Sequence, residues 1–524
     1  MVEPVVIGKN IIEILTTGMY ENPLVIYREY IQNAVDSINQ AVEVELFNDI
    51  REGEIDIEIY PEKKKVSFCD NALGIEANKS WGILTSVAAS GKDRNKHLGF
   101  RGIGRLAGLA YCAKLIIETS YFGEEVKTQL SWDGEKLRSI ISNQKDKRPA
   151  DEVIESITTF RDDLAEEEDK HYFRVELINV KNIKLLDIPN VEKYLRMVAP
   201  VPYPNFIYRN KIIDGLRDRG AEFGEYRVFV NTSEIYKPYK ANIYQKEKRG
   251  DKQIDEVVDI QFFEATVEDE LLAVGWYSVT KNMQLIPVHN EPAGLRIRKG
   301  NIQIGNQSTF QRFFTEERFH KYFVGEVHIV SKELLPNGQR DYFDESEILT
   351  AFEEQMFKLA NKLKRLCRDV SELNSATKKI ESFQKKKKEF LDKEQNEEFL
   401  SPDHESDERE NLEKAKDVAR KGEEIFAKIE KRAEDDEILR RIVKYRRDGI
   451  NTEEAEAQID ENQNGNGCKK KKYKSNKLNK LNKKEQKLIG DIYDIIRTVL
   501  SPDLADNLIY KIEEKFGGRK TCKP

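Results

Sequence analysis

Hydrophobic and polar residues recur along this chain with two different periods, and the order of those periods outlines the fold. In "EIDIEIY" (54–60), Ile55, Ile57 and Ile59 share one face, as in a half-buried strand. "PEKKK" then reads as a turn, and "VSFCD" (66–70) as the second strand of a hairpin. "AKLIIETS" (113–120) and "FRVELINV" (173–180) predict two further strands. Ahead of them, "YREYIQNAVDSINQ" (27–40) spaces Ile31, Ala34, Val35 and Ile38 as the packed face of a helix. Over residues 1–200 the pattern predicts an α+β sandwich, with helices on one side of a mixed sheet.

Residues 201–345 form a second α/β region. Here "GLRIRKGNIQIG" (294–305) alternates strongly, and "GEVHIVSKELLPNGQRDYF" (325–343) reads as a strand followed by a loop. From 346 to 455 the pattern is purely helical. Phe352, Met356, Leu359, Leu363, Leu366, Val370 and Leu373 step by four and three, a coiled-coil seam that calls for a partner surface. A break is expected at "LSPDHESDE" (400–408), and the charge-dense helix is expected to end near 449. Residues 456–486 read as a lysine-rich flexible linker. Residues 487–517 read as a helical hairpin, with Ser501 as N-cap and Pro502 in the first turn of its second helix. So short a hairpin cannot bury enough apolar surface alone, so it is expected to dock or to pair with another copy.

Composition narrows this picture. Charged residues make up 35% and apolar residues 39% of 524 positions, which suits a soluble protein of several domains with much exposed helix. A net charge of −7 gives no global drive toward nucleic acid. Cys69, Cys112, Cys367, Cys468 and Cys522 lie far apart, which argues against a disulfide scaffold or a zinc site and for a reducing compartment. "MVEPVVIGKN" does not read as a signal peptide, and the most apolar long window, 102–117, is interrupted by Arg105 and Lys114. A cytoplasmic location without membrane contact is the expectation.

Candidate chemistry begins on the first long helix. Glu29, Asn33 and Asp36 stand at i, i+4 and i+7, on one side of it. Such a stripe is either a solvated face or the wall of a site. "DNALGI" (70–75) follows at the end of a predicted strand, and Gly99, Gly102 and Gly104 then form a G-x-x-G-x-G loop running into a helix. Glycine-freed backbone amides at a helix start cradle phosphate; the same triplet also suits a tight turn with close helix packing.

Taken in order, these three motifs resemble those of the GHKL ATPases, the superfamily of gyrase, the ninety-kilodalton heat-shock chaperones, MutL and the sensor histidine kinases. "YREYIQNAVDSI" and "LTSVAASGK" (84–92) are most similar to the chaperone branch. The resemblance covers about the first 200 residues and implies bound ATP and Mg²⁺. It implies that Glu29 orients and deprotonates the attacking water, and that Asn33 binds Mg²⁺ through its carbonyl oxygen. Asp70 would accept a hydrogen bond from the adenine amine, and Gly74 would let the chain pass close to the base. Gly99, Gly102 and Gly104 would wrap the phosphates, and Ser90, Gly91 and Lys92 would belong to a lid over the nucleotide. Asp36 would line the site or serve as a structural carboxylate. Two positions depart from the family pattern: Ala72 stands where glycine is usual, and Phe173 where a threonine is expected near the base. The kinase branch is set aside, because Glu29 favours hydrolysis and no helix with a phosphoacceptor histidine is seen upstream.

The middle region is similar to the chaperone's middle domain. Arg340 in "LLPNGQR" would then reach the γ-phosphate from a neighbouring domain, the alternative being a surface arginine paired with Asp341 or Asp344. Arg296 and Arg298 read as structural. Between Lys469 and Lys487 ten lysines face a single acid, Glu485, which suits a phosphate backbone, an acidic partner or a solvated linker. The expected function is a chaperone-like, Mg²⁺-dependent ATPase whose lid closure acts on a protein client or effector, as a homodimer or hetero-complex. The alternative is an ATP-gated clamp on nucleic acid, like MutL or the MORC proteins, in a bacterial defence or repair system.

Overall fold

A computed structural model describes residues 7–14, 22–86, 104–287, 289–290, 292–396, 398–399, 401–461, 478 and 481–516. The chain divides into two units, Met1–Lys364 and Arg365–Pro524. The lid and glycine-loop residues Ser90, Gly91, Lys92, Gly99 and Gly102 lie outside the described residues, as does most of the lysine run.

The first unit holds two sheets. The chain enters through α1 (Asn10–Glu13) and α2 (Val25–Glu43), then forms the hairpin β1 (Glu54–Tyr60) and β2 (Lys65–Asp70). After α3 (Ala77–Thr85) come β3 (Lys114–Ser120), β4 (Val126–Asp133), α4 (Gly134–Ser142), α5 (Ala150–Ile157), β5 (Thr158–Ala165) and β6 (Tyr172–Ile178). α6 (Ile188–Val198) and α7 (Arg209–Arg217) precede β7 (Arg227–Val230) and β8 (Ser233–Glu234). The eight strands run in the order β5-β4-β3-β6-β2-β1-β7-β8. Every neighbouring pair is antiparallel except β1 and β7, which are parallel.

The alternation read from the sequence places Ile55, Ile57 and Ile59 in the core, with Val66 and Phe68 beside them. α2 lies over this face. Ile31, Ala34, Val35 and Ile38 are buried, and Tyr27 and Tyr30 set their rings 5.1 and 4.6 Å from that of Phe68. The Tyr27 hydroxyl donates to Leu185 O at 2.6 Å, so this end of the helix is anchored by packing and by a buried hydrogen bond.

The second sheet is built from β9 (Asn242–Glu247), β10 (Gly250–Val267), β11 (Glu270–Thr280), β12 (Gly294–Lys299), β13 (Ile302–Ile304) and β14 (Val324–Ile329), in the order β13-β12-β14-β11-β10-β9. At its centre the Glu326 carboxylate, fully buried, takes hydrogen bonds from Tyr203, Tyr239, Lys237 and Arg298. Arg298 also donates to Met197 O and Ala199 O, at the C-terminal end of α6. A buried carboxylate is tolerable only when paired and fully hydrogen-bonded, and this one is. Arg296 and Arg298 are buried, in keeping with the structural role expected of them.

The start of α8 (Glu347–Gln395) closes the first unit, with Phe352 packed on Phe313 and Phe343. In the second unit α9 (Pro402–Arg432) begins at the N-cap Ser401, whose hydroxyl accepts from His404 N, so the expected helix break falls just ahead of Pro402. α10 (Glu437–Glu461) extends well past 449. α11 (Lys483–Val499) and α12 (Pro502–Phe516) form the expected hairpin. Of the seam on α8, Phe352, Met356, Leu363, Leu366, Val370 and Leu373 are buried and Leu359 is half-buried, so the stripe is largely covered within the single chain.

Candidate functional site

α2 presents its polar stripe to the inside of the first unit rather than to solvent. Glu29 and Asp36 are 7% and 3% exposed, and Asn33 is half-buried. Burying two carboxylates is costly unless each is paired, which argues for a site over a solvated face. Glu29 Oε1 is 3.1 Å from Arg28 Nη2 and 3.3 Å from Arg28 Nε. Its other oxygen faces the start of the 3₁₀ turn Gly104–Ala110. A Cβ added to Gly104 would stand 3.0 Å from Glu29 Oε2 and 3.8 Å from Asn33 Nδ2. Glu29, Asn33 and Gly104 therefore meet, with a glycine where any side chain would press on the carboxylate. Gly104, the last glycine of the motif, opens a 3₁₀ helix. That turn is held to α2 by Gly108 N, which donates to the Tyr30 hydroxyl at 3.2 Å.

Asp70 ends β2, opposite Phe173 on β6, and is 4% exposed. Its Oδ1 accepts from Ala72 N at 3.2 Å, which turns the chain immediately after the strand. Gly74 follows with φ +68°, and a Cβ there would stand 1.9 Å from Ser120 O. Both the left-handed backbone and the close approach require glycine. Thr119 completes the loop: its hydroxyl accepts from Ile75 N at 2.9 Å and donates to Tyr172 O at 3.0 Å. The Ala72 departure is harmless to the backbone. Ala72 is not among the positive-φ residues, and its carbonyl lies 2.9 Å from His171 Nδ1. Phe173 packs partly buried against the first core, in register with both Asp70 and Thr119.

The loop after β14 reaches the same helix. Arg28 Nη2 donates to Gln339 O at 3.1 Å, one residue before Arg340. Arg340 is 6% exposed and held at φ +55° by Arg340 N donating to Asn337 O and Gly305 N donating to Arg340 O. A left-handed arginine is strained and persists only where its surroundings impose it. Lys299 Nζ adds bonds to Ser331 O and Leu334 O, fixing the root of the loop. Reading the sequence missed Arg28 and Thr119. Neither was legible: Arg28 takes its role from Gln339, which the fold brings to it, and Thr119 from strand register.

Asn33 carries a carbonyl oxygen of the kind Mg²⁺ takes, and its Nδ2 would lie 3.8 Å from a Cβ added at Gly104. Among the described residues no cluster of three or more His, Cys, Asp or Glu could hold a metal, so an ion at Asn33 would share its coordination with phosphate and water. No helix among the described residues is long and apolar enough to cross a membrane.

No curated protein matches the chain. Residues 22–163, the span that carries Glu29, Asn33, Asp70, Gly74 and Gly104, match the family model for histidine kinase-, DNA gyrase B-, and HSP90-like ATPases, which supports placing this domain in the GHKL ATPase superfamily.

Proposed function

We propose that the chain binds and hydrolyses ATP and converts the two nucleotide states into a conformational change that acts on a protein partner, in the manner of a chaperone. The observation that carries this reading is the Arg28 side chain, which joins the Glu29 carboxylate to the carbonyl of Gln339 on the loop from the second sheet. A state change at Glu29 is thereby felt outside the nucleotide domain.

Asp70 accepts from the exocyclic amine of adenine, while Gly74 leaves room for the base. Glu29 aligns the attacking water and takes its proton, a task suited to a buried carboxylate on the site wall. Asn33 would hold Mg²⁺, which would supply charge neutralisation at the phosphates. Arg340 supports the γ-phosphate side from the second sheet. Asp36, buried on the same helix, serves as a structural carboxylate near Tyr226, whose hydroxyl donates to Asn39 and whose pKa burial pushes up to about 12, with Asp36 adding to the rise. The nucleic-acid clamp reading rests on the lysine run, and no described contact favours it.

The test uses the full chain with Mg-ATP. The wild type should release phosphate, and Glu29→Ala should bind ATP in calorimetry while hydrolysing it at least about 100-fold more slowly. The wild type should also suppress aggregation of an unfolded test protein in an ATP-dependent way. ATPase stimulated by DNA with a steep salt dependence, and no effect on the test protein, would overturn the protein-partner reading.

A further inference from the structure

Tyr30 follows Glu29 on α2 but turns into the first core, where it is 4% exposed. Its ring lies 4.6 Å from that of Phe68, two residues before Asp70 on β2. Its hydroxyl accepts from Gly108 N at 3.2 Å, in the turn that Gly104 opens. One side chain therefore ties the helix of Glu29 and Asn33 to the strand of Asp70 and to the turn of Gly104.

The contact with the turn is tight. A Cβ added to Gly108 would stand 2.5 Å from Tyr30 Oη, so only glycine lets this amide reach the hydroxyl. The far side of the turn is held as well. Arg138 on α4 donates from Nη2 to Cys112 O at 3.0 Å, and Lys181 N donates to Tyr111 O at 2.8 Å. Leu106, Ala107 and Leu109 are buried. With its far end fixed in this way, the turn takes its distance from α2 through the Tyr30 bond. At the start of the turn, a Cβ on Gly104 would stand 3.0 Å from Glu29 Oε2.

We infer that Tyr30 is a positioning residue of this site. Through Gly108 it fixes the gap between the Gly104 backbone, on the phosphate side, and the Glu29 carboxylate that takes the proton of the attacking water. The inference rests on the reading of the site as ATP-hydrolysing. Tyr30 touches neither nucleotide nor water and acts only through the turn. A misplacement of about 1 Å in such a geometry costs about 100-fold in rate. Loss of the hydroxyl should therefore show in turnover rather than in binding, because Asp70 and Gly74 hold the base on a separate loop.

The experiment uses the full chain with Mg-ATP, reading phosphate release and calorimetric affinity together. Tyr30→Phe keeps the ring on Phe68 and removes the acceptor. It should lower kcat by at least about tenfold and leave ATP affinity within about threefold. Hydrogen exchange of the 104–112 peptide in the nucleotide-free protein should quicken, with the β2 peptide unchanged. Gly108→Ala presses on the same bond from the other side. It should lower kcat by at least about tenfold alone, but by less than about threefold when added to Tyr30→Phe, because the oxygen it meets is gone.

Tyr30→Phe with wild-type kcat overturns the inference. So do losses that add in full in the double variant, since the two groups then act separately. Affinity falling in parallel with kcat also overturns it, because the hydroxyl then supports the fold of the whole domain rather than the gap at Glu29. A wild type that releases no phosphate overturns the ATPase reading and this one with it; a working wild type beside an equally fast Tyr30→Phe overturns this one alone.

Discussion

Arg28 Nη2 lies 3.1 Å from Glu29 Oε1 and 3.1 Å from Gln339 O, so a single guanidinium joins the Glu29 carboxylate to a loop more than 300 residues further along the chain. A planar guanidinium donates in several directions at once, and this bridge uses that property. Arg28→Lys keeps the charge and loses the fork. It should leave ATP affinity within about threefold and lower kcat by at least about tenfold, because the loop that carries Arg340 loses its bond to α2. Arg340→Ala should lower kcat by about 10³-fold. Steady-state ATPase assays with calorimetry check both; an Arg28→Lys enzyme with wild-type kcat would show that the bridge is only structural.

Asp70 is nearly buried and accepts from Ala72 N, so its carboxylate is preset as an acceptor. On the proposed adenine contact, Asp70→Asn turns one acceptor in part into a donor facing the adenine amine. ATP affinity should fall by at least about 100-fold in calorimetry, with the thermal midpoint of the apo protein changed little. Unchanged affinity in a folded variant would remove Asp70 from base recognition.

Gly74→Ala should be more harmful than its size suggests. The added methyl would stand 1.9 Å from Ser120 O, at a φ of +68° that disfavours alanine. The first unit should lose roughly 2–4 kcal/mol, and ATP binding should weaken with it as the 70–75 loop is displaced. Denaturant unfolding and calorimetry on the same preparation check this. Normal stability with normal binding would contradict the close approach.

His320 makes the second sheet acid-sensitive. Its Nε2 accepts from Leu295 N at 2.8 Å, and burial holds its pKa down to about 4 from an ordinary 6.5, with Arg296 and Lys321 acting in the same direction. The unfolded chain binds this proton near pH 6.5, whereas the native chain resists it until about pH 4. The stabilisation is therefore complete above pH 6.5 and is lost as pH falls from 6.5 to 4, by up to about 3 kcal/mol. Urea unfolding followed between pH 4 and 7 should show this slope in the wild type and a shallower one in His320→Gln. Equal slopes would place the acid sensitivity elsewhere.

Sequence alone determined the elements whose signal is local. The alternation of 54–60 yields β1, because period two puts Ile55, Ile57 and Ile59 on one face whatever that strand pairs with. Pro502 begins α12, because a first-turn proline has its φ preset for a helix. The stripe Glu29, Asn33 and Asp36, the strand-end Asp70 and the glycines are likewise side-by-side facts of one helix or one turn. Only the tertiary structure decided what pairs across distance. β7 joins β1 in parallel from some 170 residues away, a register that no local pattern carries. Thr119 enters the 70–75 loop because β3 and β6 set it opposite Phe173. The seam of α8 looked alike for an internal or an external partner, since period 3.5 records an apolar stripe and not what covers it. Arg28 carries no periodic signal at all. Its role arises where the fold brings Gln339 to the end of α2, because a guanidinium acquires a function only from the groups placed around it.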